Sequence, residues 1–275
     1  MATLDEDKID CHVHILDPIR YPYESGTPYR PSGQEIGTPS QLAAICETFK
    51  VRHCLLVGPN SGYGLDSRIL LDAIEAGGGK YKGVAVVPND AGKEILVGLQ
   101  ARGIVGVAVN ATFHSVEYYR DIGPLMGRLA DLDLFLQVQA EKEQWAALLP
   151  LLERAPCPIV IDHCGRPDGA LGVNAAGFQA MLRLAAGRRN AVKLSGVQKI
   201  SRQDYPHADA RPFIEALLSA FGPERCVWAS DWPFLRATSR VDYGPLLALL
   251  DRLLPDPKLR RAILWDTPRR LFGFR

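Results

Sequence analysis

The 275-residue sequence contains no CxxC pair of the kind that marks zinc ribbons or thiol redox sites. Its six cysteines, Cys11, Cys46, Cys54, Cys157, Cys164 and Cys226, are scattered, and several stand in apolar runs where cysteine behaves as a small buried hydrophobe. Reduced thiols in a cytoplasmic protein are therefore expected. No run of about 18 apolar residues exists to span a bilayer. The acidic, polar start MATLDEDKID does not read as a secretion signal. Charge of one sign is also missing: 32 Lys and Arg against 31 Asp and Glu give a net +1. The only adjacent basic residues are the pairs Arg188-Arg189, Arg260-Arg261 and Arg269-Arg270. Such a chain has no electrostatic claim on nucleic acid or an anionic membrane, which leaves a small molecule as the expected partner and the oligomeric state open. Finally, no glycine-rich dinucleotide fingerprint follows the first apolar strand, where DCHVHILDP stands instead. Gly77, Gly78 and Gly79 precede a strand, so they read as a helix exit rather than a phosphate cradle.

What is present is a globular composition, 47% hydrophobic and 23% charged. Short apolar runs predict strands at residues 9–14, 53–58, 83–87, 103–109, 134–139, 159–163, 191–195 and 226–231. Segments with helical spacing, among them 67–76, 144–154, 177–186, 212–221 and 243–254, follow or separate them. Strands alternating with helices require parallel pairing through crossovers. Eight such units over this length predict an α/β fold, a (β/α)8 TIM barrel forming a single domain over residues 1–275. The polar, proline-rich stretch 18–39 is long for a loop and follows the first strand, where a lid or substrate-binding segment would lie on the catalytic face.

His12 and His14 are two apart, so on a strand both imidazoles share a face. Such a pair suits a metal or a substrate carbonyl, and equally a hydrogen-bonded core. His163 ends the sixth predicted strand in IDHCGRP, and Asp231 ends the eighth in WASDWP. The C-terminal ends of barrel strands surround one site, which would bring these four residues together. A carboxylate at the end of an apolar strand is costly unless paired or functional, with a turn cap as the bland alternative for Asp231.

The order of HxH, DHxGRPD and SDWP resembles the amidohydrolase superfamily, and within it the branch containing 2-pyrone-4,6-dicarboxylate lactonase and sugar-lactone enzymes. The resemblance runs from Asp10 to Pro268-Arg269-Arg270-Leu271-Phe272. It implies the barrel, and it implies that Asp231 handles the proton of an attacking water while His12, His14 and His163 polarise a carbonyl. Binuclear members carry bridging or further ligands on strands four and five. Here those strands end in VAVN and LQVQ, so a two-metal site is not expected. The branch includes metal-free hydrolases, so the expectation is no cofactor. One zinc on His12, His14 and Asp231, with His163 as a further ligand, stays open.

Tyr29 matches a family tyrosine in the loop after strand one, or else packs beneath that loop. Asn60, Asn110 and Gln137 follow or end strands where substrate-binding residues are expected. Arg166 and Lys199 are candidates for an acidic group, with an Asp168 anchor the alternative for Arg166 and solvation for Lys199. His53, His114 and His207 read as bland surface residues. The expected activity is hydrolysis of a small carboxylated or sugar-acid lactone. A lactone isomerase, a zinc-dependent decarboxylase and a non-catalytic ligand-binding barrel are the alternatives. The pyrone-dicarboxylate lactonase reads its carboxylates partly through a strand-four arginine and a strand-five tyrosine, and the matching positions here are Ala108 and Gln137. A less acidic lactone is therefore expected.

Overall fold

A computed structural model describes residues 2–275. Eight strands, β1 (Lys8–Val13), β2 (Val51–Val57), β3 (Tyr81–Ala85), β4 (Ile104–Asn110), β5 (Phe135–Gln139), β6 (Ile159–Ile161), β7 (Ala191–Leu194) and β8 (Cys226–Trp228), follow one another in sequence order in one sheet. The registered pairs are parallel and helices intervene, which is the (β/α)8 fold. No helix among the described residues is long and apolar enough to cross a membrane.

The chain resolves into two compact units. The first comprises the chain up to Val86 with Leu99–Val105 and Trp228–Arg275. All six residues of its β1 are buried, as expected for a strand covered on both faces. The helix Arg68–Ala76 buries Ile69, Leu70, Leu71, Ala73 and Ile74, and Ile74 comes so close to Gly83 on β3 that a Cβ there would meet its Cδ1 at 2.7 Å. Thr38 caps the helix Pro39–Thr48 by accepting from Gln41 N.

The second unit comprises Val87–Gly98 and Gly106–Val227. Its strands β5, β6 and β7 pair in register, Gln137 with Val160 and Val160 with Ala191. The helix Arg211–Phe221 turns Phe213, Ile214, Leu217 and Phe221 inward, an apolar stripe of helical period. All six cysteines are buried free thiols, as their apolar settings suggested.

The observed strands stop short of several predicted ends. β6 ends at Ile161 rather than 163, β7 at Leu194 rather than 195, and β8 at Trp228 rather than 231. At His163 and Asp231 the backbone is left-handed, φ 50° and 64°, which no β ladder accommodates. The chemistry-bearing residues thus sit on turns just past the strands.

Candidate active site

In the first unit His12 lies on β1 and His14 one residue past its end. Their Nε2 atoms are 3.2 Å apart and the rings meet edge to face. His14 Nδ1 is 2.8 Å from the carbonyl of Val57. A carbonyl only accepts, so this nitrogen carries a proton, and Nε2 is the atom turned toward His12. Asp231 Oδ1 stands 3.8 Å from His12 Nε2 and 3.6 Å from His14 Nε2. Only the His14 side chain, 12% exposed, has appreciable contact with solvent.

Main-chain bonds carry these side chains together. Asp231 N donates to His12 O at 2.9 Å and His14 N donates to Trp232 O at 2.8 Å, continuing the ladder past both strand ends. Asp10 braces the same junction. Its Oδ1 accepts from Ser230 N at 2.9 Å and from His12 N at 3.3 Å, and its Oδ2 accepts from Tyr243 Oη at 2.7 Å. Burial pushes this carboxyl up from 3.8 to about 6, against those hydrogen bonds, which favour the charged form. The end of the loop after β1 reaches the same turn. Trp232 lies so close to Gly37 that a Cβ there would fall 2.6 Å from its ring.

Three donor atoms 3.2–3.8 Å apart suit a divalent cation. Zinc bound at about 2.0–2.1 Å in tetrahedral geometry separates its ligand atoms by roughly 3.3 Å. The Val57 carbonyl fixes the His14 tautomer as the outer partner of a metal-bound imidazole does. His12, His14 and Asp231 therefore fit the single-metal alternative raised from the sequence.

In the second unit His163 follows β6 and is buried, with Nδ1 3.0 Å from Ser195 Oγ just past β7. Residues 163–166 all have positive φ, three of them not glycine. Left-handed backbone costs a non-glycine residue about 1–2 kcal/mol, and such strain concentrates at functional segments. The turn is pinned by Trp145 Nε1 donating to Gly165 O at 2.6 Å and by Arg166 N donating to His163 O at 2.9 Å. Gly196 lies against His163, where a Cβ would fall 3.0 Å from the histidine Cβ. Nothing in the motifs points to Ser195 or Asp10. Both stand in otherwise apolar runs, where a polar residue needs a partner, and that is the one signal the sequence carries for them.

The remaining candidates divide. Gln137 is 1% exposed and committed internally: its amide donates to Asp162 Oδ2 at 2.8 Å and accepts from Lys193 Nζ at 2.5 Å. Lys193 Nζ also pairs with Asp162 Oδ1 at 3.0 Å. Asn110 uses its side-chain oxygen to accept from Thr112 N, Thr112 Oγ1 and Phe113 N, closing the turn after β4. Arg166 pairs with Glu141 at 3.0 Å, while Asp168 faces Lys142, so the anchor of Arg166 is not Asp168. Lys199 is half-buried on the short helix Val197–Ile200. Asn60 opens the turn Asn60–Tyr63 and is half-buried. Tyr29 is half-buried in the first unit, donating to Glu35 and covered by the Arg236 guanidinium 4.2 Å from its ring centroid.

The sequence profile of the amidohydrolase family matches residues 9–274. The chain is 32% identical over 271 residues to a 4-sulfomuconolactone hydrolase of Rhizobium radiobacter, covering 96% of this chain and 89% of that protein. It is 25% identical over 277 residues to a 2-pyrone-4,6-dicarboxylate hydrolase of Comamonas testosteroni, with the same coverage. Among solved structures, a putative 2-pyrone-4,6-dicarboxylic acid hydrolase from Pseudomonas putida superposes with a TM-score of 0.84 at 29% identity, covering 98% of both chains.

Proposed function

The chain belongs to the amidohydrolase family, and from that premise we propose that it hydrolyses a small anionic lactone of the muconolactone type, with residues 1–275 acting as one catalytic domain. The observation that carries this reading is the buried Asp231 carboxylate held 3.6–3.8 Å from the paired Nε2 atoms of His12 and His14. The similarity to a sulfomuconolactone hydrolase along 96% of the chain supports the substrate class.

Asp231 accepts the proton of the attacking water as the new C–O bond forms, and returns it to the ring oxygen as the acyl–oxygen bond breaks. General-base assistance of this kind contributes about 10²–10⁴-fold. His163, its Nδ1 bonded to Ser195, acts through Nε2 on the negative charge that develops at the carbonyl oxygen. His12 and His14 orient the carbonyl. A divalent cation held by His12, His14 and Asp231 would supply a Lewis acid and lower the pKa of water toward about 7.

Tyr29, Asn60, Asn110, Arg166 and Lys199 belong to the substrate-binding part of this proposal, whereas Gln137 is withdrawn from it because both ends of its amide are used. With Ala108 on strand four, no guanidinium stands where the pyrone-dicarboxylate lactonase grips its carboxylate. Losing such a contact costs on the order of 2–5 kcal/mol.

A side-by-side kinetic panel of muconolactone-type compounds, aldonolactones and pyrone dicarboxylate tests the assignment, with product analysis for ring-opened acid, isomer and carbon dioxide. Ring opening of a muconolactone-type compound with the highest kcat/KM is expected. A clear preference for pyrone dicarboxylate would sink the substrate assignment, and carbon dioxide release without ring opening would replace hydrolysis by decarboxylation.

A further inference from the structure

A cavity of about 1030 Å³ lies in the first unit at the starting ends of β2 and β3, whereas His14 and Asp231 lie past the finishing ends of β1 and β8. Its lining is strongly basic: Lys50, Arg52, Lys80, Lys82 and Arg275, with Glu47 the one carboxylate side chain among the residues that line it. Lys50 and Arg52 are already paired, with Asp5 at 3.2 Å and Asp7 at 2.7 Å. Lys80, Lys82 and Arg275 make no ion pair with any carboxylate among the described residues. Burial, and then the Arg275 charge beside it, hold Lys82 below the ordinary lysine range. In a chain of net charge +1, three cations outside any ion pair, set against the one Glu47 side chain, are a local excess.

Two further features shape the wall of this cavity. His53 is half-buried, stacked 4.8 Å from the ring of Phe274, rather than being a bland surface residue. Its Nδ1 is buried and makes no hydrogen bond of normal geometry, while backbone of Lys80, Gly79 and Arg275 lies against the ring and partly offsets the lowering of its pKa by burial. The turn Gly77, Gly78 and Gly79 is the helix exit expected from the sequence: Gly77 N donates to Ala73 O, and a Cβ at Gly77 would meet the Tyr81 ring at 2.5 Å. Beyond that exit, Gly78 and Gly79 at φ 54° and 92° have open space where a Cβ would project, so backbone comes up to the cavity unshielded by side chains.

We propose that this cavity binds a compact polyanion, a phosphate-bearing or polycarboxylate small molecule, at a site separate from the candidate active site. Lys80, Lys82 and Arg275 neutralise it, and the bare Gly78–Gly79 backbone lets it approach closely. Each lysine, through a charge-assisted hydrogen bond of this kind, contributes roughly tenfold or more in affinity.

Isothermal titration of the full chain at constant ionic strength tests this, with inorganic pyrophosphate, citrate and, as a singly charged control, acetate. One saturable site for pyrophosphate, citrate or both is expected, with acetate silent. Pyrophosphate alone would mark the phosphate source and citrate alone the polycarboxylate source. Lys80→Gln and Lys82→Ala should each weaken binding about tenfold, and Asp231→Asn should leave it unchanged. Absence of saturable binding at millimolar concentration, unaltered affinity in both lysine variants, or loss of binding in Asp231→Asn would overturn the proposal. The last outcome would locate the anion at the active site.

Discussion

Two buried carboxylates, Asp162 in one unit and Asp231 in the other, are 1% and 2% exposed and differ in almost everything else. Asp162 is gripped from both oxygens, by Lys193 at 3.0 Å and by Gln137 at 2.8 Å, and these two partners also bond to each other. Asp231 faces two imidazoles at 3.6 and 3.8 Å, beyond hydrogen-bond range, beside the partly exposed His14. Burial alone therefore does not mark a carboxylate for chemistry. A charge locked into a satisfied buried network cannot take up a proton cheaply. In the proposed mechanism the proton goes instead to Asp231, which faces two imidazole rings beside the partly exposed His14.

The largest effect that separates the two concerns folding. Lys193→Met strands Asp162 in the core, and breaking a buried pair by removing one partner costs about 3–5 kcal/mol. Chemical denaturation should show this loss, and adding Asp162→Asn should restore part of it. An unchanged midpoint in the single variant would erase the contrast. Next in size, Asp231→Asn should reduce turnover at least about a hundredfold while its denaturation midpoint stays near that of the parent. Near-normal turnover in a folded variant would remove Asp231 from the mechanism.

Zinc sharpens the comparison from the other side. Added to chelator-treated protein at a hundredfold excess over Kd, it should stabilise the fold by about 2.7 kcal/mol, read as a raised thermal midpoint, and His14→Ala should abolish the shift. No shift in the parent protein would leave the two imidazoles to act without metal.

The smallest effect belongs to Asp10. With its pKa raised from 3.8 unfolded to about 6 folded, the folded state holds the proton more tightly, so this contribution is complete below pH 4 and is lost as pH rises through 6. Between pH 5 and 7 the parent should lose about 1 kcal/mol relative to Asp10→Asn, measured by paired denaturation curves. A flat difference, or a parent that gains on Asp10→Asn as pH rises, would show that the hydrogen bonds from Ser230 and Tyr243 outweigh burial.

Local pattern by itself determined the eight strands and their parallel order, and it placed His163 and Asp231 close to strand ends, though not on the left-handed turns just beyond them. Apolar runs alternating with helical spacing leave one economical arrangement, and His12 and His14 share a face because a strand has a period of two. The same period says nothing about depth. Gln137 and Gln139 alternate identically in the sequence, yet Gln137 is fixed between Lys193 and Asp162 while Gln139 is half-buried and donates to Thr112. Only the register of β5, β6 and β7 decides which of the two reaches a core charge. Tertiary structure alone likewise joined Asp10 to Tyr243 across 233 residues, set Ser195 against His163, and gathered Lys80, Lys82 and Arg275 around one cavity. Each of these depends on distances between segments remote in sequence, and hydrogen bonds and charge pairs form through space at a few ångströms, whatever the length of chain between them.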